Sequence, residues 1–151
     1  MKIRTDYVTN SSSSSFILGF NNSRDIADTI KNELPSYWSE DVIQKVISDV
    51  QNGITSKEEA IELYKDNIYY WDWHFNGKTY WDMTIEEIRS KEWADFKESR
   101  KNELSKIFAD ELNKYNTISI VEYEDHYPLG SELEHDIMPY LDCTISRISH
   151  H

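Results

Sequence analysis

The residues best equipped for chemistry gather toward the end of the chain, where His126, His135, His150 and His151 all follow Asp125 and stand among Glu122, Glu124, Glu132, Glu134 and Asp136. Imidazole and carboxylate together can move protons near neutral pH, and as ligands they suit zinc, manganese or iron. The pattern assigns His126, His135 and His150 as metal ligands and Glu134, His135 and His150 as a catalytic group. No His-x-x-x-His or His-Glu-x-x-His spacing is present, so the assignment rests on the fold placing a strand ending near Tyr123 beside one ending near Ile148. Adjacent residues of a strand face opposite ways, which allows at most one of His150 and His151 to reach a given ligand. The competing reading makes the final histidines a frayed end or the remnant of an affinity tag.

A second candidate is polar and uncharged. Thr9-Asn10 runs into Ser11, Ser12, Ser13, Ser14 and Ser15, a stretch of hydroxyls and small residues whose amides can approach phosphate, sulfate or carboxylate closely. With Asp6 it forms a candidate ligand-binding loop between a strand over Lys2 to Val8 and one over Phe16 to Phe20. It holds no glycine and no adjacent lysine or arginine, and it enters a strand, so it is not a nucleotide-binding P-loop. A flexible linker, or a strand carrying a ladder of hydroxyls, competes with the anion-site reading.

The opening Asp6-Tyr7-Val8-Thr9-Asn10, the five serines and Phe16 resemble the start of a group of uncharacterised bacterial and phage-associated proteins with an Asp-aromatic-Val-Thr-Asn-serine-run-Phe motif. That resemblance implies that the serines are a fixed element anchored by Asp6 and Asn10, and it brings no activity with it. The ending Ser149-His150-His151, with Glu134-His135 upstream, is similar to the terminus of some small uncharacterised proteins.

Cys143 is the only cysteine; it excludes an intramolecular disulfide and a multi-thiolate zinc site, and it reads as an inert core residue before a nucleophile. The aromatics Tyr69, Tyr70, Trp71, Trp73, Phe75, Tyr80 and Trp81 surround Asn76-Gly77, the signature of a hairpin on a tight turn. They could pack a core or form a stacking platform.

Positioning these groups requires a frame. Ile26, Ile30 and Leu34 form one stripe of a helix capped at Asn22 or Ser23 and ended by Pro35. Ser39 opens a second helix carrying Val42, Val46, Ile47 and Val50 up to Asn52-Gly53. Ser56 with Glu59, Thr84 with Glu87, and Ser131 with Glu134 have the spacing of capping boxes, and the long pattern after Thr84 has a candidate break near Ser99. Thr117 to Tyr123 and Cys143 to Ile148 read as strands. The expectation is a single α/β or α+β domain: a small sheet from the terminal strands, about four helices between them, and an aromatic hairpin.

The 151 residues suffice for one hydrophobic core, and the net charge of −12 disfavours nucleic acid and anionic membranes while serving either solubility or a basic partner. No apolar run reaches the length of about 18 needed to cross a bilayer, so a cytoplasmic protein is expected. Two functions follow. The first is a polar pocket where the serine loop meets Glu134, His135 and His150, binding a phosphate-bearing ligand or a divalent metal, with hydrolysis as its chemistry. The alternative is a non-enzymatic acidic protein of phage or mobile-element type that binds a basic protein partner.

Overall fold

Phe16-Ile17-Leu18 is apolar on every residue, a pattern that suits a strand covered on both faces, and it forms the inner strand of an antiparallel sheet. The computed structural model describes residues 13–34, 36–125 and 129–150. The expected strand over Lys2 to Val8, together with Asp6, Asn10, Ser11, Ser12, Pro35, His126 and His151, lies outside them. Strand β1 spans Ser13–Phe20 and β2 spans Ile54–Thr55. Strands β3, Thr117–Glu124, and β4, Thr144–His150, complete the sheet in the order β2-β3-β1-β4. The fold is α+β, with the sheet built from both ends of the sequence as expected.

The chain divides into two compact units, residues 1–60 with 114–151, and residues 61–113. In the first, β1 places Ser14, Phe16, Leu18 and Phe20 on one face, opposite Tyr123, Val121, Ser119 and Thr117 of β3. That face is covered by α1, Ile26–Glu33, and α2, Glu40–Asn52, whose Ile26, Ile30, Val42, Val46, Ile47 and Val50 join Phe16, Leu18, Val121 and Tyr123 in one core. Both helices begin as their sequences dictate. Asn22 accepts from the Arg24 amide to start a short 3-10 turn before α1, and Ser39 accepts from Val42 at 3.3 Å. The Ser119 hydroxyl donates to the Val50 carbonyl at 2.6 Å, tying α2 to β3. At Gly19 the strand is closely approached: a Cβ there would lie 2.5 Å from Tyr115 Cγ and 2.7 Å from Ile145 Cδ1.

The boundary of the units falls inside α3, Lys57–Asp66. The Glu59 amide donates to Ser56 at 3.1 Å, but the Glu59 carboxylate takes the Thr55 hydroxyl, so only half of the expected capping box forms. In the second unit, Asn76 and Gly77 adopt φ of 54° and 79°, the left-handed values of the expected turn. The flanking residues make only an isolated bridge, Phe75 to Lys78, and the rings of Trp73, Phe75 and Tyr80 pack against Trp93 and Phe96 instead of extending a ladder. The hairpin is therefore reduced to its turn.

The Thr84 and Glu87 capping box forms in full and starts α4, Ile85–Ile88. Its carboxylate is held below the usual range, first by the Thr84 amide and then by Lys78. The long helical pattern breaks at Ser90, not near Ser99: Ser90 accepts from Trp93 at 3.2 Å and caps α5, Lys91–Leu112. Ser99 sits exposed in mid-helix, where its short side chain does not interrupt the backbone ladder. Ser90→Ala is accordingly expected to cost about 1 kcal/mol in urea unfolding, whereas Ser99→Ala leaves stability level or slightly raised.

Candidate functional site

Serines 13 to 15 are strand residues, not a loop, and their alternation decides the geometry of everything polar around them. Ser14 is fully buried on the helix-covered face, and Ser15 points to the other. The expected anion-binding loop is corrected to this extent: the backbone amides of a central strand are committed to its neighbours and cannot cradle a ligand.

On the helix-covered face Ser14 meets Glu134. The expected cap at Ser131 does not form; the segment winds as a π-helical turn, Glu132–Ile137, which buries Leu133, Glu134 and Ile137. Such wide turns recur at functional sites. Glu134 has no exposure at all, and its Oε1 accepts from the Ser14 hydroxyl at 2.9 Å. Arg147 lies on the same face of β4; its Nε donates to Ser14 Oγ at 3.1 Å and its Nη2 stands 3.7 Å from Glu134 Oε1. Ser14 thereby accepts from a cation and donates to a carboxylate, using its hydroxyl in both directions.

His135 closes the group. Its Nδ1 is 3.3 Å from Arg147 Nη2 and its Nε2 is 3.5 Å from Glu134 Oε2. A guanidinium only donates, so Nδ1 accepts and the ring proton sits on Nε2, facing the carboxylate. Asp125, just beyond β3, completes a set in which one ligand atom each from Asp125, Glu134 and His135 lie within 4.8 Å of one another. The residues preceding the two carboxylates, Glu124 and Leu133, line a cavity of 720 Å³ together with Lys45, Asp49, Tyr123 and Leu129. In its wall the Tyr123 hydroxyl donates to Asp49 at 2.8 Å, and burial, then Asp49, pushes its ionisation far above the ordinary tyrosine range.

His150 is elsewhere. The strands ending near Tyr123 and Ile148 are not neighbours; each pairs with β1 from opposite sides. In this register His150 faces Ser13, alongside Ser15 on the far side of the sheet from Ser14. Its Nε2 is 3.0 Å from Ser15 Oγ and 3.8 Å from Glu122 Oε2. Hydroxyl and carboxylate address the same ring nitrogen, so the imidazole cannot pass a proton between them as a catalytic triad does. The proposed trio Glu134, His135 and His150 is thus split by the sheet, with only the first two brought together. Of the metal ligands expected, His135 stands in the cluster, His150 does not, and His126 lies outside the described residues.

Sequence reasoning missed Arg147 as a site residue and gave Asp125 no role beyond nearby charge. Arg147 sits opposite Phe16 in the pairing of β1 with β4, and only that register reveals it as a neighbour of Ser14. Comparison of the chain with protein-family models, with curated proteins and with solved structures found no match.

Cys143 is buried, and burial followed by the charge of Glu33 pushes its thiol well above the ordinary range, as a core residue requires. Native protein is expected to resist iodoacetamide at mildly alkaline pH and to be alkylated fully once unfolded in urea. Prompt labelling of the native state would contradict the burial. For the serines, removing a hydrogen bond to a buried carboxylate costs more than removing one to a half-exposed imidazole. Ser14→Ala should lose about 2 kcal/mol and Ser15→Ala about 1 kcal/mol in urea unfolding.

Proposed function

We propose that the protein binds a divalent transition metal through Asp125, Glu134 and His135 and holds a phosphate-bearing ligand against it with Arg147. The observation that carries this reading is the convergence of the three ligand atoms within 4.8 Å around a carboxylate withdrawn completely from water. Ligands at the bond lengths of zinc stand about 3.4 Å apart in a tetrahedron, so modest side-chain rotation closes the set. Two carboxylates and one imidazole also suit manganese and iron.

The hydrogen bonds of His135 supply a link between metal and anion. For Nε2 to coordinate a metal, its proton must leave or move to Nδ1, and a protonated Nδ1 can no longer accept from Arg147. Metal uptake would then release Arg147 Nη2 from His135 and make that nitrogen available to a phosphate oxygen, while Nε stays on Ser14. The 720 Å³ cavity lined by Glu124 and Leu133 falls within the size range of small-ligand sites, but the four residues of the group do not line it themselves. A metal beside an arginine is an arrangement suited to hydrolysis of a phosphoester, the metal activating water and polarising the phosphoryl oxygen.

The test is metal content by plasma mass spectrometry, on untagged protein purified without chelator or nickel and equilibrated with zinc or manganese. One metal per chain is expected, lost in Asp125→Asn and His135→Ala and retained in His150→Ala, which lies across the sheet. Loss in His150→Ala alone would place the metal on the other face. No metal in any sample would reduce the group to a buried ion pair that ties the π-helical turn to the sheet.

A further inference from the structure

The aromatic segment of the second unit belongs to no part of that site, and it is layered. The inner layer surrounds Trp93, which is almost fully buried and lies 6.2 Å from Tyr70, 5.6 Å from Phe75 and 5.7 Å from Phe96 between ring centroids. These rings already receive cations from α5: Lys97 Nζ stands 4.7 Å and Lys101 Nζ 5.4 Å from the Tyr70 centroid, and Arg100 lies 5.9 Å from that of Trp73. The negative faces of the rings attract ammonium and guanidinium groups.

The outer layer has the same chemistry without the cations. Trp71 and Trp81 stack at 5.2 Å with 22° between their planes, and Tyr69 meets Trp71 edge-on at 6.4 Å. Trp81 is 71% exposed and Tyr69 61%. Among the described residues no lysine or arginine covers any of these three rings. The exposed neighbours of the two tryptophans in sequence are Asp72 and Asp82, while Lys78 is engaged by Glu87 at 3.0 Å. A stacked pair of indoles bordered by two exposed aspartates disfavours a nucleic-acid partner, and the nearby Lys97 and Lys101 are already engaged over Tyr70, the ring stacked on Trp71 at 4.7 Å. The indole pair complements a cationic partner in both charge and ring chemistry.

We propose that Tyr69, Trp71 and Trp81, flanked by Asp72 and Asp82, form a docking face for an arginine- or lysine-bearing segment of a basic protein, with a cationic side chain laid over Trp81. The net charge of −12 draws such a segment in, and the rings give the contact its place on the surface.

The test uses the intact protein and a short peptide alternating arginine and glycine, with binding followed by calorimetry at physiological salt. Saturable binding is expected, weakened about fivefold or more by Trp81→Ala, a change that leaves the charge untouched. Trp81→Phe should recover part of the loss, because a ring remains. Tyr140→Ala removes an equally exposed ring in the other unit and should leave the affinity unchanged. Circular dichroism of each variant reports on folding. The proposal is overturned by the absence of saturable binding, by equal affinity of wild type and Trp81→Ala, which would mean attraction by net charge alone, or by selective binding of a neutral oligosaccharide in place of the cationic peptide.

Discussion

A carboxyl group with no access to water needs hydrogen-bonding partners inside the protein, and Glu134 is that group here. Among its partners are Ser14 on β1, Arg147 on β4 and His135 on its own turn. Meeting it therefore ties the two terminal strands and the π-helical turn together at one point. The attraction that gathers the apolar core of α1 and α2 is non-directional. The hydrogen bonds to Glu134 are directional, and they add a geometric requirement to that assembly.

Chemical separation follows from the same strand. Ser14 and Ser15 are covalent neighbours, yet they serve two polar groups that share no atom, Glu134 with Arg147 and His135 on one face and His150 with Glu122 on the other. A central strand insulates as well as connects: its backbone hydrogen bonds fill the plane between the groups and leave no path for a shared ligand. Function on either face has to be complete on that face, which removes the histidine pair from consideration as one unit and raises the standing of Asp125 and Arg147.

Local signals in the sequence were faithful where the physics is local. Asn22, Ser39, Thr84 with Glu87, and Asn76-Gly77 all do what their side chains or backbone freedom require within a few residues. The pairing of the terminal strands was also legible, from β-branched and apolar composition at both ends. What failed was non-local. The Ser131 and Glu134 spacing is identical to that of a capping box, but burial against Ser14 claimed the carboxylate first. Ser90 and Ser99 are the same residue type, and the sequence alone did not show that the first caps the helix while the second lies within it. The site was half legible: Glu134 and His135 belong together, while the exclusion of His150 and the inclusion of Arg147 depend on register, which no composition encodes.

Register itself poses a problem in β1 that Gly19 resolves. The strand is serine at one end and apolar on both faces at the other, so a shift by one residue would still offer a hydroxyl to Glu134 and a hydrophobic side chain to each layer. Binary pattern, the usual guard against slippage, is silent here. The missing side chain at Gly19 is the one mark that cannot be exchanged with a neighbour, since Tyr115 and Ile145 close over the space that any other residue would fill. Sliding in either direction drives a phenylalanine or a leucine into that space. The glycine works as a vernier, setting by exclusion the alignment on which both polar groups of the sheet rely.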